Sequence, residues 1–148
     1  MTLYCESSAI LSVYLRELGR HPIVQRELEQ EIPLSSVLAS VEVRANLARA
    51  AFKERPRRLT DARYARALRM FESEWHDFFH VPITDELLGE ASVLARQYLL
   101  RAYDAVHLAS ALSAQARVPD TLLLSTWDRD LAAAAVAAGL SLAHEVIA

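Results

Sequence analysis

At 148 residues, 53% of them apolar and 24% charged, the chain has the size and composition of one globular domain with a substantial core, and nothing in it suggests disorder. A net charge of −3 gives no global attraction for nucleic acid, and the single cysteine, Cys5, excludes an internal disulfide or a cysteine-based zinc site. There is no run of about 18 uncharged apolar residues to span a bilayer. The N-terminus has no basic n-region and carries Glu6 inside what would be its apolar part, so a cytoplasmic protein is expected.

In chain order, Thr2 to Cys5 is predicted as a short buried strand, with Cys5 a small apolar member of it. Ser8 to Leu18 is predicted as a helix, with Ile10, Leu11, Tyr14, Leu15 and Leu18 on one face and Gly19 as its stop. A short helix from Pro22 to Gln30 follows, with proline in its first turn. Ile32 to Val37 reads as a strand, leading into a helix that carries Glu42 and extends to about Lys53, with an apolar stripe of Leu38, Val41, Ala45, Ala48 and Phe52. Glu54 to Leu59 is the clearest loop. Thr60 caps a helix ending near Trp75, Phe79 to Ile83 is a strand, and Thr84 caps a helix from Asp85 to about Gln97. A helix around Asp104 runs to about Arg117, Leu122 to Leu124 is a strand, Trp127 to Ala138 is a helix ended by Gly139, and Leu140 to Ala143 is a last strand. Strands separated by helices predict a central, mainly parallel sheet covered on both faces. Ligands in such folds gather beyond the carboxyl ends of the strands.

One carboxylate, Asp104, stands where the pattern calls for an apolar residue, and three more lie beside core elements. Asp104 shares a helix face with Leu108, Ala111 and Leu112, and an ionised carboxylate buried there costs several kcal/mol or more unless it meets a cation or several donors. Glu6 lies where the first strand hands over to a helix, Glu42 adjoins an apolar stripe, and Asp128 opens the helix Asp-Arg-Asp-Leu-Ala. Convergence of the four on a divalent metal would explain all of them. Local alternatives stay open: Asp128, three residues after Ser125, can complete a capping box, Asp104 can be a first-turn acid favoured by the helix dipole, and Glu42 can pair with Arg49. His107, one turn from Asp104, is read as a structural hydrogen-bonding histidine, and Tyr103, His76 and His80 as packing or surface residues.

Leu-Tyr-Cys-Glu-Ser-Ser-Ala-Ile at the start, Glu42 with Arg44, Tyr-Asp-Ala-Val-His-Leu-Ala-Ser-Ala around Asp104 and Ser-Thr-Trp-Asp-Arg-Asp-Leu around Asp128 resemble the four acidic motifs of PIN-domain ribonucleases, in particular the VapC toxins of bacterial toxin–antitoxin pairs. The resemblance spans essentially the whole chain, and its Asp-Ala-x-His-Leu-Ala element is the most specific part. It implies a single PIN-like domain over residues 1–148, a three-layer α/β/α sandwich, in which Glu6, Glu42, Asp104 and Asp128 hold Mg2+ or Mn2+ and Ser8 or Thr126 supports a bound water or a carboxylate. It further implies a metal-dependent endoribonuclease, RNA as substrate, an antitoxin as partner and a homodimer. The family's first acid is usually aspartate. Glu6 departs from that and keeps open a second reading, a PIN-like module that binds RNA or a protein without cleaving. A phosphoacceptor receiver fits poorly, because receivers cluster their acids near the first strand.

One stretch is locally basic. Between Arg44 and Arg69 there are nine basic residues against Glu54 and Asp61. This segment offers a track for an RNA backbone, with Arg57 and Arg58 as its test positions.

Overall fold

The computed structural model describes residues 1–147. Its strands are β1 (Thr2–Cys5), β2 (Pro33–Ser36), β3 (Phe79–Val81), β4 (Leu122–Ser125) and β5 (Ser141–Leu142). The helices among the described residues are α1 (Ser7–Tyr14), α2 (His21–Gln30), α3 (Leu38–Phe52), α4 (Asp61–Trp75), α5 (Asp85–Tyr98), α6 (Ala102–Gln115) and α7 (Arg129–Ala137). All strand pairs are parallel, in the order β3-β2-β1-β4-β5. The chain winds outward from β1 to β3, then returns to the other side of β1 for β4 and β5, so the winding reverses between β1 and β4. Beyond the carboxyl ends of two such strands the connections diverge and leave a crevice. Cys5 is in register with Ser125, which puts Glu6 and Thr126 side by side at that crevice.

Alternation along β1 divides the core. Leu3 and Cys5 face a cluster with Ile10, Val43, Leu47, Phe71 and Trp75, contributed by α1, α3 and α4. Tyr4 faces the opposite cluster, with Leu108, Leu122, Leu124, Leu131 and Ala135 from α6, β4 and α7. Helices thus cover both faces of the sheet, the three-layer α/β/α arrangement. Pro33 is tolerated because it is the first residue of β2, where its missing N–H breaks no ladder within the strand.

Two expectations are corrected. The first helix stops at Tyr14, not Leu18: Arg16 takes a left-handed conformation (φ 52°), its N–H bonds the Val13 carbonyl, and that of Glu17 bonds the Ser12 carbonyl. That is a Schellman closure with arginine in place of the usual glycine. Leu18 is left 95% exposed. In α3 the buried face is Ala39, Val43, Leu47, Ala50 and Ala51, whereas Val41 and Phe52 of the predicted stripe are 65% and 54% exposed. This helix carries apolar residues around most of its circumference, so spacing alone did not choose the face. The inward face is the one with small side chains, which lets α3 approach α1 and the sheet closely. Thr60 and Thr84 cap α4 and α5 through Arg63 N and Leu87 N, and Gly139 closes α7 with φ 96°, as predicted. No helix of the described residues is long and apolar enough to cross a membrane.

Candidate functional site

Glu6 follows β1 and occupies the N-cap position of α1, with no capping bond from its side chain. Its N–H donates to the Ser125 carbonyl at 2.9 Å, prolonging the β1–β4 ladder by one bond, while its own carbonyl accepts from Ala9 and Ile10. The buried carboxylate accepts from Ser8 Oγ at 2.5 Å and Thr126 Oγ1 at 2.8 Å, both at Oε2. Ser8 Oγ also accepts from Trp127 N, and Thr126 Oγ1 from Asp128 N. Two hydroxyls therefore tie the start of α1 to the loop entering α7 and fix Glu6 between them.

Glu42 reaches the same edge from α3. Its Oε1 accepts from Ser7 Oγ and from His107 Nε2, the latter at 2.6 Å. His107 is fully buried, and its Nδ1 meets the Tyr4 hydroxyl at 2.9 Å. The hydroxyl also accepts from Ser36 N. This chain runs from the centre of the sheet to Glu42 and accounts for a histidine in a buried helix. Arg49, the alternative partner of Glu42, is exposed.

Asp104 lies in the first turn of α6 and Asp128 is the N-cap of α7, its Oδ1 accepting from Leu131 N at 2.8 Å. Asp128 is thus itself the cap, while Ser125 donates instead to Glu27. Arg101 bridges the two acids: Nε donates to Asp104 Oδ2 at 3.1 Å and Nη2 to Asp128 Oδ2 at 2.8 Å.

The electrostatics join these pieces. Burial pushes the Glu6 carboxyl above its ordinary range, against the His107 charge and the Ser8 and Thr126 hydroxyls. Burial and then the Asp128 charge push Asp104 up, against Arg101. Burial alone would lower His107, but the Glu42 hydrogen bond and the charges of Glu6, Glu42 and Asp104 raise it. Each acid therefore lies within electrostatic reach of another or of His107. All four are at one sheet edge, yet among the described residues no three Asp, Glu, His or Cys side chains form a ready-made metal-holding group. Glu6 is held by hydroxyls, Glu42 by His107 and Ser7, and Asp104 with Asp128 by Arg101.

The residues nevertheless fit a hard divalent cation by two observations. The donor set is carboxylate and hydroxyl oxygen, as Mg2+ and Mn2+ prefer. Between Asp104 and Asp128 a positive group is already drawn in, the Arg101 guanidinium. Sequence reasoning did not find Ser7, the His107–Glu42 pair, Arg101, or the Glu27–His144 pair. In that last pair, His144 Nδ1 meets Glu27 Oε2 at 2.7 Å and Nε2 meets the Thr126 carbonyl at 3.0 Å. Arg101 had a signal, since it lies three residues before Asp104, but Glu27 and His144 are 117 residues apart and had none. His80 stacks on Trp75 and Tyr103 is exposed, in keeping with packing and surface roles.

The sequence profile of the PIN domain matches residues 3–137. The chain is also 39% identical over 142 residues to Ribonuclease VapC45 and to Ribonuclease VapC49, from two strains of Mycobacterium tuberculosis, covering 95% of this chain and 94% of each relative. It is a VapC-type member of the PIN-domain family. Solved structures agree on the fold of this PIN domain. A toxin–antitoxin complex from Klebsiella pneumoniae superposes with a TM-score of 0.62 at 19% identity, over 89% of this chain and 91% of that one. FitAcB from Neisseria gonorrhoeae gives 0.62 at 12% identity, over 95% and 96%. The site lies within the matched segment of the PIN domain, whereas His144 lies beyond it.

Proposed function

We propose that this protein is a Mg2+- or Mn2+-dependent endoribonuclease, the toxin of a toxin–antitoxin pair, with Glu6, Glu42, Asp104 and Asp128 as its metal-holding and catalytic residues within one PIN-like domain over residues 1–148. The observation that carries this reading is that Asp104 and Asp128, from two different helices, share the Arg101 guanidinium, while Glu6, Glu42 and Asp104 all act on the buried His107 at the same sheet edge. The 39% identity to two ribonucleases over 95% of the chain supports it. A divalent ion, when bound, supplies an activated water and neutralises charge at the phosphate. The chain's own side chains do the positioning. Ser8 and Thr126 orient Glu6 through Oε2, and His107 and Ser7 orient Glu42 through Oε1. The helix cap holds Asp128, and Arg101 keeps the Asp104–Asp128 pair from repelling itself. Glu6 is one methylene longer than the usual aspartate, and these hydroxyls fix its longer reach.

RNA is the proposed substrate, an antitoxin and a second copy of the chain the proposed partners, and the cytoplasm the proposed location. The antitoxin is supported by the toxin–antitoxin structural neighbour. The test is cleavage of defined RNAs with Mn2+ or Mg2+, with and without chelator, by the parent and Asp104→Asn. Metal-dependent cutting lost in the variant is expected. Chelator-insensitive cutting, or an unaffected variant, refutes the enzyme, and RNA binding without cutting favours the non-cleaving module.

A further inference from the structure

Arg101 carries a charge opposite to that of the acids it bridges, and solvent surrounds most of its side chain. The residue is the N-cap position of α6, and its side chain is 75% exposed, while the Asp104 and Asp128 carboxylates that it joins are 9% and 21% exposed. His107, by contrast, is sealed in the core by Tyr4, Ser7 and Glu42. A solvent-facing arginine whose fork lies across two carboxylates holds them by bonds that are individually weak, because exposed ion pairs are screened and cost side-chain freedom. Its five donors in a planar fork also match a phosphate as well as a carboxylate.

We propose that Arg101 is a tethered counter-cation: it holds Asp104 and Asp128 together in the metal-free protein, yields to the divalent ion, and then pairs with an RNA phosphate. This rests on the metal-dependent ribonuclease reading above. It adds that the resting site is occupied from within, so that metal affinity is reduced by competition, and that the displaced guanidinium becomes a substrate contact. The two consequences have opposite signs. Losing Arg101 strengthens metal binding and weakens RNA binding, whereas a residue that merely shaped the acids would weaken the metal when removed.

The experiment is calorimetric titration of Mn2+ into the parent, Arg101→Gln and Arg101→Lys. Circular dichroism and metal-free melting establish that each variant is folded. Exposed ion pairs of this kind correspond to Mn2+ binding on the order of three- to tenfold tighter in Arg101→Gln. Arg101→Lys, which keeps the charge but not the fork, is expected to fall between. At Mn2+ saturating for each protein, KM for an RNA oligonucleotide is expected to rise about tenfold in Arg101→Gln, the effect of one lost charged contact. Unchanged or weaker Mn2+ binding in a folded Arg101→Gln overturns the competition while leaving the ribonuclease reading intact. Tighter Mn2+ binding with unchanged KM overturns the transfer to RNA. A parent that binds no Mn2+ overturns this inference together with the reading on which it rests.

Discussion

Two regions of charge behave in opposite ways when the chain folds. Glu6, Glu42, Asp104 and Asp128 are scattered through the sequence, yet the β1–β4 crevice brings them to one edge, where each is held by a specific neighbour. The nine basic residues from Arg44 to Arg69 are close in sequence, yet the fold draws three of them into local ion pairs. Arg57 meets Asp61 and Arg58 meets Glu17 and Glu54, while Arg44 lies beside Glu72 and over Phe71. Acids spread far apart came together because strand order and helix entry points put them there. Bases close in sequence are divided because a helix distributes its side chains around its axis: among the described residues salt bridges join Arg44, Arg57 and Arg58 to acids, whereas Arg63 and Arg66 line a cavity together with Arg58. Density of charge along a sequence is therefore a poor guide to density on a surface.

Breaking the first region should have the largest effect. Asp104→Asn is expected to reduce metal-dependent RNA cleavage by about a hundredfold or more, beyond the range typical of outer supporting groups. Single-turnover assays measure it, and near-parental rates would remove Asp104 from the site. One shell further out, His144→Gln is expected to reduce cleavage about tenfold, within that supporting range, because His144 holds the Thr126 carbonyl and Thr126 holds Glu6. If that variant retains full kcat, the segment beyond residue 137 is only packing.

A pH series sharpens the same contrast, because the raised groups lie at the crevice. His107 is raised above its ordinary 6.5, so its contribution is complete below that value and is lost as pH rises through its higher folded value. Glu6 and Asp104 are also raised, and their contributions fade as pH climbs out of the ordinary carboxylate range, about 4. Melting in chelator should therefore show stability falling from about pH 4 towards and beyond neutrality. His107→Gln should flatten the upper part, and a melting temperature that rises steadily from weakly acid to weakly basic pH would contradict these shifts.

The smallest effect is expected in the basic segment. If Arg57 and Arg58 both met phosphates, replacing them with alanine would reduce the salt slope of single-stranded RNA binding by about 1.4. Their acidic partners make a smaller change the expected one. An unchanged affinity and slope would exclude these two residues from the RNA track.

The alternation of short strands with capped helices was enough to anticipate a parallel sheet covered on both faces, because strand periodicity and threonine caps are local signals. The end of α1 was not legible, because a left-handed arginine does what glycine normally signals. The face of α3 was not legible either, since its apolar residues encircle it. At the site, the awkward placement of Asp104 and the motif resemblance pointed to all four acids. The histidine reading held in kind, but its partner Glu42, 65 residues away, depends on the packing of α3 against α6. Arg101 had a signal in its place three residues before Asp104, but its bond to Asp128, 27 residues away, depends on how the starts of α6 and α7 meet.

The most direct test of the four-acid convergence is the Mn2+-induced rise in melting temperature of the parent and of Glu6→Gln, Glu42→Gln, Asp104→Asn and Asp128→Asn. With Mn2+ at a hundred times its Kd, the parent should rise by about 5–10 °C, and each single variant should lose most of that rise whatever its own metal-free stability. A full rise retained by any one of the four would remove that acid from the metal site, and no rise in the parent would contradict the account as a whole.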